Sequence, residues 1–153
     1  MEQVRMINMR YIFFEFENDK YWIELDDDSY ALRQIILSMN IFHASCFEDC
    51  LAEGKIIDSD LSAEIIEISS NDFEDTWEKA LKQHLNTWNL IKDKYRINDS
   101  IIGELIYFYP QGAIFRCDDV LANYVGTKNV ELHAKLEMKI VDFDNTNMWI
   151  ITE

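Results

Sequence analysis

Glycine, proline and cysteine are scarce in this chain of 153 residues, which contains four glycines, one proline and three cysteines. A loop that cradles phosphates needs closely spaced glycines, and the glycines here form no such motif. An odd number of cysteines at this low density does not describe a secreted disulfide scaffold. No apolar run is long enough to cross a bilayer, and the polar N-terminus lacks the apolar block of a signal peptide. We therefore expect a cytoplasmic protein with reduced thiols and no membrane association.

Basic residues are also few: the chain has 14 lysines and arginines and 29 aspartates and glutamates, which gives a net charge of −15. Residues 1–94 carry 9 basic and 20 acidic side chains, and residues 95–153 carry 5 and 9. A protein that neutralises phosphates needs clustered lysine and arginine. The overall field instead repels nucleic acid and attracts basic surfaces, although acidity can also serve solubility alone.

Alternating apolar residues near the N-terminus predict an antiparallel sheet with one covered face. The runs 11–16 and 20–25 flank a hairpin turn at Glu17-Asn18-Asp19, and Ile12, Phe14 and Phe16 share one face of the first run. Three further strands are predicted at 30–37, 41–46 and 63–69.

One long amphipathic helix is predicted over residues 72–94. Asn71 can cap it, with Glu74 as the capping-box partner, and apolar residues recur at three- and four-residue steps. Trp77 and Trp88 lie about three turns apart on one stripe, a pattern typical of a core. We expect the helix to pack on the N-terminal sheet or to brace it against the C-terminal strands, and to complete a domain over 1–94.

Five more strands are predicted after the helix, and their number and size are those of a small OB-like β-barrel over 95–153. The predicted fold class is therefore α+β. The strand bounds are 101–109, 113–117, 120–125, 131–143 and 148–152.

Four segments of this second half carry a recognisable pattern. In chain order they are Gly103-Glu104-Leu105, Pro110-Gln111-Gly112-Ala113-Ile114-Phe115, 136–142 and Trp149-Ile150-Ile151. In this order they resemble the S-one type OB domain, the RNA-binding repeat of the largest ribosomal small-subunit protein. The resemblance implies a five-stranded barrel and, in that family, binding of RNA.

The chain departs from that family at the residues that contact RNA. Two aromatic positions on which bases stack in the family hold Gln111 and Ile114 here, and the family's histidine falls near Val125. Stacking of a base on an aromatic ring contributes about 1–3 kcal/mol. The segment thus keeps the residues that form the fold and lacks those that usually read RNA.

Catalytic and metal motifs are not recognisable, so we expect neither an enzyme nor a cofactor. The clustered carboxylates all fall at predicted turns, where aspartate is favoured for its backbone hydrogen bonds. The densest group of possible ligands is His43, Cys46 and Cys50, with Cys117 or His133 as a distant fourth. Because a second ligand pair is missing, we predict no metal site.

The favoured hypothesis is a non-catalytic acidic protein that binds a basic protein partner. In its strong form it is an inhibitor or immunity protein that masks a nuclease, another nucleic-acid enzyme or a toxin, since charge complementarity speeds association and selects the partner. Carboxylates would supply the field and an aromatic ring the buried anchor. The predicted partner-binding residues are Trp22, Asp26, Asp27, Asp28, Tyr30, Phe47, Glu48, Asp49, Asp58 and Asp60.

The alternative is a module that binds single-stranded RNA or DNA through the OB-like barrel. It predicts binding that weakens strongly with salt. The aromatic residues would stack on bases and the basic ones would contact phosphates. Its predicted residues are Tyr107, Tyr109, Phe115, Arg116, Tyr124 and Lys128.

Overall fold

A computed structural model describes residues 9–48, 50–52, 54–110 and 112–153. The described chain contains two α-helices and two sheets of five strands each, so the predicted α+β class is confirmed. The residues group into two compact units, which are Met1–Ser45 with Cys50–Ala80 and Cys46–Asp49 with Leu81–Glu153. The predicted domain boundary after Lys94 stays a prediction. No helix in the described ranges has the length and apolar character needed to span a membrane.

The first sheet is an antiparallel arrangement with the order β4-β3-β2-β1-β5. Both of its tight hairpins, at Glu17-Asn18 and Met39-Asn40, have positive φ angles at the two turn residues. That backbone matches the twist of the flanking strands and favours asparagine. The strands are β1 (Arg10–Phe16), β2 (Asp19–Leu25), β3 (Ala31–Ser38), β4 (Ile41–Ala44) and β5 (Ile66–Glu67).

The strand predicted over 63–69 is wrong in length, because β5 contains two residues only. Ile66 pairs with Phe13 in β1, and the backbone N–H of Ile68 still donates to the carbonyl of Tyr11. Pairing cannot continue further, since the hydroxyl of Ser69 accepts the N–H of Asp72 at 3.1 Å and caps the first turn of the next helix.

The single long helix predicted over 72–94 is also wrong, because two helices occupy this region: α1 (Ser70–Lys82) and α2 (Leu85–Lys94). The break lies at His84, whose N–H donates to the carbonyl of Leu81 at 2.9 Å in a tight turn. A new helical ladder then starts with the N–H of Trp88 donating to the carbonyl of His84. Neither glycine nor proline marks this break, so the apolar periodicity predicted one continuous helix across it.

Helix α1 covers one face of the first sheet. The ring of Tyr11 lies 5.3 Å from the ring of Phe73, centre to centre. The guanidinium of Arg33 lies 4.9 Å from the centre of the Phe73 ring and 5.2 Å from that of Trp77. Phe73, Trp77 and Ala80 of α1 are buried, which anchors the helix through its apolar stripe.

The opposite face of the first sheet is covered by residues 50–52 and 54–63, a largely irregular segment. Ile12, Ile23 and Leu25 on this face are buried. The N–H of Ala52 donates to the side-chain oxygen of Gln34 at 2.9 Å, which ties the segment to β3. The sheet is therefore covered on both faces, whereas the sequence pattern predicted one covered face.

The second sheet consists of five strands whose pairings form a closed cycle with the order β10-β8-β7-β6-β9. Strands β8 and β10 pair in parallel and the other pairs are antiparallel. The strand predicted from residue 131 begins later, at Lys135, because His133 has a φ of +69° within a turn. The strands are β6 (Ser100–Tyr109), β7 (Gly112–Arg116), β8 (Leu121–Tyr124), β9 (Lys135–Asp144) and β10 (Trp149–Thr152).

Helix α2 belongs to the second unit and is held there by contacts at both of its ends. The indole N–H of Trp88 donates to the side-chain oxygen of Asn145 at 2.9 Å. At the other end, Lys94 and the hydroxyl of Tyr95 both donate to the carboxylate of Asp119, at 3.0 and 2.9 Å. These bonds attach α2 to the β9–β10 turn and to the β7–β8 turn.

Candidate functional site

The predicted acidic turn between β2 and β3 is ordered by its first aspartate. Asp26 accepts the backbone N–H groups of Asp28 and Tyr30, both at 2.9 Å, through one carboxylate oxygen. Ser29 adopts a positive φ of 67° within the same turn. The carboxylate of Asp26 therefore has a structural role, whereas Asp27 and Asp28 are exposed to solvent.

The segment opposite this turn brings a cation beside the predicted aromatic anchor. The N–H of Ile56 donates to the carbonyl of Ser29 at 2.9 Å, and Tyr30 forms an isolated bridge with Lys55. The ammonium of Lys55 lies 5.8 Å from the centre of the Tyr30 ring. Tyr30 is half-buried, so a partner would meet its ring only in part and would also meet Lys55.

Of the two aspartates predicted at 58 and 60, one is neutralised within the chain. Asp58 forms an ion pair with Arg10, which also pairs with Glu67. These hydrogen bonds, led by the one to Asp58, raise the pKa of Arg10 above its ordinary value. Asp60 ends the short 3-10 helix Asp58–Asp60 and is exposed, so its charge remains available to a partner.

The other predicted partner-binding residues do not join this surface. Trp22 is half-buried between Phe13 and Phe42, with ring centres 5.2 and 6.3 Å away. Phe47 and Glu48 group with the second unit, where the Phe47 ring lies 5.0 Å from His84. Asp49 lies outside the described residues. The structure thus brings together the residues from Asp26 to Tyr30, and it does not assemble the whole predicted set.

A buried ion-pair network is the charged feature that sequence reasoning missed. Arg33 donates to both carboxylate oxygens of Glu24 at 2.8 Å and also binds Glu74 of α1. Arg33 and Glu24 are 6% and 7% exposed, respectively. Burial alone would lower the pKa of Arg33, but the hydrogen bonds to the two glutamates raise it. Glu24 and Arg33 face each other across β2 and β3, so the register of the hairpin was the signal that could have revealed the pair.

Two aromatic residues of the nucleic-acid alternative are buried, which removes them as platforms for bases. Phe115 is fully buried and Tyr124 is 7% exposed, with their rings in edge contact at 5.8 Å. Tyr107 and Tyr109 stack on each other at 5.5 Å and pack partly against an apolar cluster. The hydroxyl of Tyr124 accepts the N–H of Lys128 at 3.0 Å, so this ring has a structural role.

The cationic part of that alternative is small and interrupted by carboxylates. Arg116 and Lys128 are exposed, and Arg116 pairs in register with Glu104 across β6 and β7. Arg116 also lines an open groove of about 630 Å³ beside Lys135, Glu104 and Asp118. Two basic and two acidic side chains at one groove do not form the continuous positive track that single strands require.

Possible metal ligands are not grouped in the described ranges, where no three or more histidine, cysteine, aspartate or glutamate side chains could hold an ion. Cys46 is fully buried, and burial raises the pKa of its thiol to about 12. Burial likewise raises the pKa of Cys117 to about 12. Because the thiolate is the form that ligates zinc, both environments oppose metal binding.

His84 at the helix break gives the second unit a predicted pH dependence. Burial lowers the pKa of His84, and the charge of Glu48 opposes this effect in part. The folded state therefore binds a proton less readily than the unfolded state, and stability falls as the pH drops below the ordinary histidine pKa of about 6.5. We expect His84→Gln to lose less stability than the wild type between about pH 7.5 and pH 5.5, measured by urea denaturation.

The exposed His133 supplies the control for that experiment, as His133→Gln removes a histidine at the surface of the same unit. An unchanged pH dependence in His84→Gln would show that this side chain is not the group that titrates.

No protein-family model matches this chain, and no curated protein matches it.

Proposed function

We propose that this is a non-catalytic acidic binding protein that recognises a basic protein surface through its first unit. In the described part of that unit, ten acidic side chains are exposed against three basic ones, and this observation carries the proposal. The exposed acidic residues are Glu15, Glu17, Asp27, Asp28, Asp60, Glu64, Glu67, Asp72, Asp75 and Glu78, and the exposed basic residues are Lys20, Lys55 and Lys79.

Ion pairs within the unit leave this excess of negative charge in place. Arg33 is buried between two glutamates, and Arg10 is bound to Asp58 and Glu67. Each arginine thus faces two carboxylates, so neither supplies a net positive charge to the outer field. A field of one sign attracts a partner of opposite sign and raises the association rate, most strongly at low salt.

The second unit, in this proposal, is an OB-like barrel that serves as a scaffold. Its cyclic strand order, with the third strand parallel to the fifth, supports the fold that the resemblance to the S-one type domain implies. In OB folds the second and third strands carry the oligonucleotide-binding face. Here the corresponding β7 and β8 carry Ile114, Arg116, Leu121 and Asn123 on the side opposite Phe115, and all of these except Arg116 are buried. Burial of most of that face supports a partner other than nucleic acid.

The strong form of the proposal is a cytoplasmic inhibitor or immunity protein that masks the nucleic-acid site of a basic nuclease or toxin. Such a site is positively charged because it binds phosphates. An acidic surface with exposed carboxylates at the ends of ordered turns complements it, as Asp27, Asp28 and Asp60 do here.

The test measures nuclease activity in the basic proteins of the native lysate, collected on a cation exchanger, before and after this protein is added. We expect the wild type to lower the activity and Asp27→Asn/Asp28→Asn to lower it less, with the largest difference between the two proteins at low salt, where the charges are least screened. The matched control, Glu131→Gln/Glu137→Gln, removes the same charge from exposed positions of the second unit and should act like the wild type. Unchanged activity, together with no basic protein retained on the immobilised wild type at low salt, would contradict the proposal.

A further inference from the structure

A cleft of about 300 Å³ opens in the first unit, between the end of the β1–β2 hairpin and the irregular segment that covers the sheet. Its seven lining residues are Phe14, Phe16, Tyr21, Asp60, Leu61, Ser62 and Ala63. This volume is at the lower limit of pockets that hold a small ligand, so the cleft suits one long side chain better than a cofactor.

The floor of this cleft is aromatic because of the register of the hairpin. Phe14 pairs with Tyr21 across β1 and β2, and their rings stack at 4.8 Å with an angle of 7° between the planes. Phe16, two residues further along the same face, is 40% exposed. Three aromatic rings thus meet at the end of the sheet, and one presents a large part of its surface to solvent.

The charges around the cleft are negative. Asp60 is the charged residue of the lining, and it is exposed. Burial raises the pKa of the Tyr21 hydroxyl, and the charges of Asp19 and Glu17 raise it further, which places both carboxylates within electrostatic reach of the ring. Lys20 projects to the opposite face of the sheet, because side chains alternate along β2 and Lys20 pairs with Glu15.

We propose that this cleft, formed by Phe14, Phe16, Tyr21 and Asp60, receives an arginine side chain from a basic protein partner. A planar guanidinium stacks on aromatic faces and binds a carboxylate through its fork of N–H donors, and lysine does both less well. The floor offers the rings and Asp60 offers the carboxylate. An apolar side chain would fill the same space but would gain nothing from the surrounding negative charge.

This inference rests on the proposed function and gives it a specific contact. The acidic turn at 26–28 attracts a basic partner through its charge, whereas the cleft makes the protein prefer arginine to lysine side chains of that partner. The two contributions are separable, because the attraction depends on total charge and the preference depends on aromatic rings.

The experiment titrates two fluorescent peptides, nona-arginine and nona-lysine, with the full chain at low salt and follows anisotropy. The variants are Phe16→Leu/Tyr21→Leu, which removes two rings and keeps an apolar strand face, and Asp60→Asn. The control is Phe108→Leu, which removes an exposed ring from β6 of the second unit. Circular dichroism of each variant checks that its fold is retained.

We expect the wild type to bind nona-arginine about tenfold more tightly than nona-lysine, as stacking and cation–π contacts of partly desolvated guanidinium groups would give. Phe16→Leu/Tyr21→Leu should lose this preference and keep its affinity for nona-lysine, and Phe108→Leu should keep both. Asp60→Asn should reduce the affinity for nona-arginine more than that for nona-lysine.

Three other outcomes would overturn the inference. Equal affinity for the two peptides, unchanged in Phe16→Leu/Tyr21→Leu, would show that the cleft does not select arginine. The proposed function would be unaffected by that result. Binding of neither peptide at low salt would contradict both the role of the cleft and the proposed function. Self-association of the wild type that Phe16→Leu/Tyr21→Leu abolishes would assign the cleft to a second copy of this chain.

Discussion

Replacing Arg33 with methionine is expected to destabilise the protein by about 3–5 kcal/mol, the usual cost of removing one partner from a buried ion pair. Glu24 would then remain 7% exposed with no cation beside it. Glu74 would also lose its partner, but its side chain is 46% exposed and water can replace the bond. The loss should therefore arise mainly from the buried carboxylate of Glu24.

The contacts of Arg33 explain why the expected loss is large. Its guanidinium lies between the sheet and α1, bound to Glu24 and placed over the rings of Phe73 and Trp77 at 4.9 and 5.2 Å. One side chain thus joins β2, β3 and α1. A methionine fills much of the same volume, so the substitution removes charge and hydrogen bonds more than packing.

Urea denaturation followed by circular dichroism measures this loss. The double variant Glu24→Met/Arg33→Met should recover most of the stability, since replacement of a whole buried ion pair by apolar residues is often neutral. Lys20→Met, at an exposed position of β2, is the control and should change stability by less than about 0.5 kcal/mol. A loss in Arg33→Met as small as that of the control would refute the role given to the network.

Replacing Trp88 with alanine is expected to destabilise the second unit by about 3–5 kcal/mol. Trp88 is 1% exposed, and its ring meets the rings of Phe143 and Phe47 edge-on at 6.1 and 6.4 Å. Its indole N–H also donates to Asn145. The variant leaves a cavity between α2 and the β9–β10 turn and removes the hydrogen bond that joins them.

Two further variants separate packing from hydrogen bonding at this position. Trp88→Phe keeps an aromatic ring but loses the hydrogen bond to Asn145, whose side-chain oxygen still accepts from Lys92 at 3.0 Å. We expect the lost hydrogen bond to lower the free energy of unfolding by about 1 kcal/mol, in addition to the cost of the smaller ring. Leu90→Ala, at a 69% exposed position of α2, should be nearly neutral. Guanidinium denaturation checks all three, and a Trp88→Ala variant as stable as Leu90→Ala would contradict the account.

The sequence pattern predicted most strands well because period-two alternation and local turns determine them. The bounds of β1, β2 and β7 lie within one residue of the predicted ones. The hairpin turns carry local signals, namely Asn18 at positive φ between β1 and β2, Asn40 at positive φ between β3 and β4, and Gly112 after Pro110 between β6 and β7. Such features depend on neighbouring residues and need no knowledge of the tertiary structure.

The helix break and the candidate site depend on contacts between residues far apart in the chain, and the sequence did not reveal them. The break at His84 has no glycine or proline, and its ring is packed by Phe47, which precedes it by 37 positions. The cleft needs residues 60–63 to lie over β1 and β2, although nothing in their composition indicates this. The alternation pattern placed Phe14 and Phe16 on one face correctly, but the cleft that they share with Tyr21 became visible only with the covering segment.

The central proposal is that the acidic first unit recognises a basic protein and that the second unit does not bind nucleic acid. The most direct measurement is fluorescence anisotropy of labelled single-stranded RNA and DNA oligomers titrated with the full chain, at low and at physiological salt. The account predicts no binding even at low salt, because most of the face of β7 and β8 is buried and the net charge of the chain is negative. Micromolar binding that weakens steeply as salt rises would contradict it, and would restore Tyr107, Tyr109, Arg116 and Lys128 as the contact residues.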